Sequence, residues 1–203
     1  MTLAIKGTKG ISLSVFGTKP KDSIFLPLQP FGVRLNCQVG QIAISDDEFL
    51  GTSMEISIIG VNRLVGSLGK TRNADWLQIF YIAAPSCKFL PSNTVCVSYI
   101  KTRSLSQFTQ KITQLMEHGE PAEGIFQISF LSHQNGDGNP YKSVKFDWRA
   151  RKDAAEHKQL QEIIGFMQTN PILGDENGTR EMFPVSDRKE NEPVSDRKEL
   201  EAA

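Results

Sequence analysis

Between Tyr141 and Arg149 the chain alternates. Val144, Phe146 and Trp148 are apolar, while Ser143, Lys145, Asp147 and Arg149 between them are polar. A period of two places one set of side chains on a core and the other toward water, which a strand satisfies and a helix does not. Val33–Cys37, Met54–Val65, Val95–Lys101 and Phe126–Phe130 read the same way. Trp76–Ala83 is apolar on both faces and predicts a central strand. The apolar register of the 54–65 run shifts at Ile58-Ile59-Gly60, which predicts a bulge. Asn135-Gly-Asp-Gly-Asn-Pro140 is dense in turn formers and joins the last two runs into a hairpin.

Two helices interrupt the strands. Ser104 is placed to cap the first, with Leu105, Phe108, Ile112, Leu115 and Met116 on one stripe and Gly119 at its end. The second spans roughly 151–169, with Leu160, Ile163, Ile164 and Met167 on one face, and Asn170-Pro171 stops it. The fold class expected is β-rich, all-β or α+β. It is a small OB-like barrel, or an antiparallel sheet, with one inserted helix and a C-terminal helix. The pattern leaves an unrelated α+β sheet open.

Charge divides the chain. Residues 1–152 carry 17 Lys/Arg against 11 Asp/Glu, and residues 153–203 carry 6 against 12. We therefore expect a basic β-rich domain over 1–173 and a disordered acidic tail over 174–203. In the tail Pro184-Val-Ser-Asp-Arg-Lys-Glu190 repeats as Pro193-Val-Ser-Asp-Arg-Lys-Glu199. At the other end Gly7-Thr8-Lys9 recurs as Gly17-Thr18-Lys19 around the strand-like Ile11–Phe16. Residues 1–31 thus read either as a loosely packed basic arm or as a first strand with solvated ends.

Most chemistries find no support. Cys37, Cys87 and Cys96 are odd in number and widely spaced, which speaks against a secreted disulfide framework. His118, His133 and His157 lie far apart, so no metal site is expected. Gly66-Ser-Leu-Gly-Lys-Thr71 resembles the end of a phosphate-binding loop, but Leu64 stands where its first Gly is needed. Asp46-Asp47-Glu48 reads as a surface turn. No nucleophile, base and acid group together. A non-enzyme without cofactor, cytoplasmic and without a membrane span, is the expectation.

One pattern points to a partner. On the last strand Tyr141, Lys145 and Arg149 share the polar face. On the 95–101 run Tyr99 and Lys101 share a face, with Arg103 beyond, and Arg34 opposes Val33 and Leu35. If these faces adjoin, they form a basic groove with tyrosines in it. Single strands are held this way, cations tracking phosphate while rings stack on unpaired bases.

The strand bearing Trp76, the run Val95-Cys-Val-Ser-Tyr-Ile-Lys101, the hairpin Gly138-Asn-Pro-Tyr-Lys-Ser-Val-Lys-Phe146 and the acidic tail together resemble the phage- and plasmid-type single-stranded DNA-binding proteins. The resemblance extends loosely over residues 30–203. It implies non-catalytic single-stranded DNA binding in replication, recombination or repair, as in a mobile element. The tail departs from the bacterial members, whose acidic tip closes on an aromatic residue that recruits partners. This chain ends Leu200-Glu-Ala-Ala203 and mixes Arg and Lys into the tail. Protein partners through the tail and homo-oligomerisation are left open. The alternative expectation is a protein-interaction module, docking through a sheet face or the 104–118 helix without binding nucleic acid.

Overall fold

The computed structural model describes residues 23–45, 47–69 and 71–170, together with the backbone of 179–181. Its strands are β1 (Phe31–Gly32), β2 (Arg34–Asn36), β3 (Gln41–Ala43), β4 (Phe49–Gly51), β5 (Met54–Leu68), β6 (Thr71–Ala83), β7 (Cys96–Lys101), β8 (Ile125–Gln134), β9 (Pro140–Arg149) and β10 (Thr179–Glu181). Helix α1 (Thr102–Met116) lies between β7 and β8, and α2 (Ala154–Thr169) follows β9.

The main sheet runs β1-β7-β6-β5-β8-β9. From β7 to β9 every pairing is antiparallel. Five antiparallel strands in this order, with a helix before the final hairpin, have the connectivity of an OB-like barrel. The sheet as a whole is mixed, because β1 runs parallel to β7 and β10 parallel to β5. The bulge anticipated in β5 is present, as a register shift between Ile58 and Gly60.

A short segment bridges the two ends of this curl. Phe31 N and Val33 N donate to Val95 O and Val97 O on β7, and Cys37 O accepts from Lys142 N on β9. Strands β2, β3 and β4 form a small antiparallel sheet beside it. The next donor on the β9 edge, Val144 N, is taken by Ser104 Oγ at 3.0 Å. Ser104 therefore does not cap α1 as expected. The N-cap position falls at Lys101, which makes no side-chain cap bond. Ser104 lies inside the first turn, and its hydroxyl spares the sheet an orphaned donor.

β6 is apolar on both faces because both are covered. Ile79 and Tyr81 face the inner core with Ile56, Cys96, Phe126 and Val144. Phe108 of α1 meets Phe146 there edge-on, with ring centroids 5.0 Å apart. Tyr81 is fully buried and its hydroxyl bonds Ser98 Oγ, which in turn donates to Val33 O. Phe80, Ile82, Val95 and Val97 face the other way and pack under Ile163 of α2.

Polar groups also fix α2. Asp153 caps it by accepting from Glu156 N. Gln159 Nε2 donates to Ala83 O, and Ser57 Oγ donates to Gln159 Oε1. The buried Arg151 donates to Ser57 Oγ, Glu123 O and Glu156 O, so it ties β5, the turn before β8 and α2 together. Burial of a guanidinium is tolerable because its donors are met.

Two sequence expectations fall largely outside the described residues. These are the strand-like Ile11–Phe16 with its flanking lysines and the tandem repeat of the tail. Within the tail expected to lack structure, Thr179–Glu181 pairs with Arg63–Val65. Within the expected arm, Phe31–Gly32 is a strand and Phe25 bridges Thr94. Among the described residues no helix is long and apolar enough to cross a membrane.

Candidate nucleic-acid interface

On β6 and β7 one face continues past the area that α2 covers. The register sets Val97 beside Phe80, Tyr99 beside Gln78 and Lys101 beside Trp76. Phe80 and Val97 are under α2, so Gln78, Tyr99, Trp76 and Lys101 form the next two rows outward. Gln78 Nε2 donates to the Tyr99 hydroxyl at 2.8 Å. Tyr99 is half-buried, one flank resting on the cluster under α2. Lys101 Nζ sits 5.1 Å from the Trp76 ring centroid and donates to Thr71 Oγ1 at 2.6 Å. Trp76 is itself buried, its Nε1 donating to Gly66 O, so it is a floor for the ammonium group.

At the next residue the chain turns into α1. Thr102 takes φ +46, a left-handed value that a β-branched side chain disfavours by about 1–3 kcal/mol. This turn leaves Lys101 on the sheet face and carries Arg103 to β9, where its Nη1 donates to the Tyr141 hydroxyl at 3.0 Å. Tyr141 lies in register with His133, ring centroids 5.1 Å apart. The β8–β9 loop beside them is fixed by Asn135, whose Oδ1 accepts from Asp137 N and Asn139 N. Gly138 in that loop has φ +80, which suits Gly.

Of the residues singled out in the sequence, Tyr99 and Lys101 thus share the outer face at the end of β7, and Arg103 and Tyr141 meet where α1 begins beside β9. Among the described residues neither Lys101 nor Arg103 meets a carboxylate within ion-pair distance. Lys145 Nζ lies 2.6 Å from Asp147 Oδ2. Arg149 is held by Glu55 Oε1 at 2.9 Å and by Glu156 Oε1 at 2.7 Å. Both carboxylates press its guanidinium further toward the charged form, and Arg149 holds the Glu156 carboxyl down at about 2. Arg34 is exposed on β2, in the small sheet, in register with Ala43. The groove read from the sequence therefore divides into an end cluster, two cations committed to carboxylates, and a cation on another sheet.

Sequence reasoning missed Trp76, Thr71 and Gln78, which position the cluster, and His133. The last was findable, since a hairpin closed by 135–139 places 133 opposite 141.

His133 Nε2 also lies 2.7 Å from Ser143 Oγ, a spacing shared with nucleophilic serine–histidine pairs. Here Ser143 donates its proton to Gln107 Oε1 at 2.8 Å, so His133 is the donor to the serine. Ser143 is also buried, so the pair does not make a nucleophile. Gly66 and Leu68 on β5 pair with Ala74 and Thr71 on β6, so this part of the sequence joins strand to strand and not strand to helix, as a phosphate cradle would. No cluster of three or more potential metal ligands occurs among the described residues.

Comparisons with protein-family models, with curated proteins and with solved structures each find no match.

Proposed function

We propose that this chain binds single-stranded nucleic acid, DNA in the first instance, at the end of the barrel where β7 passes into α1. The observation that carries the reading is that Tyr99 and Lys101 share the outer face at the end of β7, and that the turn into α1 carries Arg103 onto the Tyr141 hydroxyl. Two half-buried tyrosine rings flank two cations that no carboxylate among the described residues neutralises. Such an alternation suits a strand, because phosphates meet the cations while bases lie on the rings. The strand order supports the reading by analogy, since OB barrels bind oligonucleotides on the face of their second and third strands and on adjoining loops. Here those strands are β6 and β7, and the adjoining loops are the β5–β6 tip and 135–139.

The contact set is Tyr99, Lys101, Arg103 and Tyr141, with His133 beside them. Lys145 and Arg149 are left out, because a cation already bonded to a carboxylate must break that bond to reach phosphate. The test is a fluorescence-anisotropy titration of the full chain with a labelled oligonucleotide and with its duplex, over a series of salt concentrations. Tighter binding of the single strand, weakening steeply with salt, is expected. Equal affinity for both forms, or no binding at low salt, would rule the reading out.

A further inference from the structure

On another side of the molecule an open groove of about 680 Å3 lies between α1 and α2. Phe108, Ile112 and Met116 line it from α1, and Ile163, Ile164 and Met167 from α2. Its floor is β5 at Ile58–Val61, between the stretch paired with β8 and the stretch paired with β10. Met116 is 66% exposed, Ile164 and Val61 43% each, so the groove has an apolar rim open to water. Among the described residues its charged lining groups are Glu120 and Glu123, both acidic.

We infer that this groove docks an amphipathic helix of a partner protein, with apolar anchors on one face and Lys or Arg at its flanks. Shape selects a helix over a small apolar molecule. An open trough cannot enclose most of a small ligand's surface, whereas a helix needs to bury only one face. The stretch of β5 between its β8 and β10 pairings spans only 57–62, which leaves an added strand little edge to pair with. A helix brings its own backbone bonds. Two methionines on opposite walls supply flexible apolar contact of the kind that adapts to varied helix faces. The two carboxylates select the sign of the flanking charge. The inference stands apart from strand binding, since the groove shares no residue with the Tyr99–Tyr141 cluster.

The experiment uses isotope-labelled full-length protein and two synthetic peptides. One is a Leu/Lys peptide of about 14 residues with helical spacing, roughly four turns. The other has Glu for every Lys. Methyl signals of Ile112, Met116, Ile164 and Met167 are followed by NMR. The Lys peptide is expected to shift them and to bind at least about tenfold more tightly than the Glu peptide at low salt. Met116→Glu, at an exposed site, should weaken the Lys peptide by about tenfold or more. Glu120→Gln with Glu123→Gln should erase the preference between peptides, while Gln still offers an oxygen to Ala122 N, the bond Glu120 now makes. Equal binding of both peptides by the unaltered protein, no shift at these methyls, or undiminished binding to Met116→Glu would overturn the inference. So would contacts in the free protein between these methyls and residues of this chain's own N-terminal 22, or those of a second copy.

Discussion

Arg103 Nη1 donates to the Tyr141 hydroxyl across 3.0 Å, joining the start of α1 to the start of β9. The bond orients a guanidinium beside an aromatic ring at the surface. Being exposed, it is worth little to stability, and its consequence lies in placing both groups for a ligand.

Replacing Tyr141 by Phe should therefore leave thermal stability within about 0.5 kcal/mol and keep most single-strand affinity, because the ring remains. Replacing it by Ala should cost about 1–3 kcal/mol of binding. Anisotropy titration beside a thermal melt separates these. An Ala variant that melts early but binds normally would make Tyr141 a structural residue.

Lys101 and Arg149 should behave oppositely. Lys101→Ala should weaken single strands of every sequence alike and reduce the slope of log affinity against log salt by about 1. Arg149→Ala should leave that slope unchanged and destabilise the fold by roughly 3 kcal/mol, since it strands Glu156 in a buried site without its partner. Paired salt series and denaturant titrations distinguish the two.

Glu156 also sets an acid limit. Hydrogen bonding from Arg149 holds its carboxyl at about 2, against about 4.3 in an unfolded chain. Because the folded value is the lower one, this carboxylate contributes stability above the unfolded value and loses it as pH falls toward the folded one. The window is roughly pH 4.5 to 2, and the contribution is about 3 kcal/mol. Glu55, held down by the same guanidinium, adds to the loss in the same direction. Urea unfolding at pH 7 and pH 3 should show the drop, and Glu156→Gln should flatten it.

Gly124 tests the packing between the turn before β8 and β9. A Cβ there would come within 2.2 Å of Trp148 Nε1, which donates to Pro121 O. Gly124→Ala should cost about 1–3 kcal/mol, through displacement of that indole and loss of its bond. A melt of the variant, with indole fluorescence as a second signal, checks it.

The sequence made the long strands legible, because alternation at Val144, Phe146 and Trp148 is a local signal that burial alone enforces. The bulge at Ile58–Gly60 was legible for the same reason. β1 and β10, two and three residues long, hold no periodic signal, so their parallel pairing was not foreseen. Ser104 looked like a cap, since sequence shows a hydroxyl at a helix start and not the Val144 N–H that claims it. At the site, Tyr99 and Lys101 were readable from their shared face. The carboxylates that occupy Arg149 were not, because Glu55 lies 94 residues away in sequence and Glu156 faces inward from a helix whose apolar stripe does not predict it.

The central claim is that a single strand lies across the Tyr99–Tyr141 cluster. Photo-crosslinking tests it most directly. A single-stranded oligonucleotide carrying 5-bromodeoxyuridine is irradiated with the full-length protein, and the adducts are located by mass spectrometry. Adducts are expected at Tyr99, Tyr141 or His133, and are lost when Lys101 and Arg103 are both replaced by Ala. Adducts confined to other surfaces, or an undiminished yield from that double variant, would contradict it.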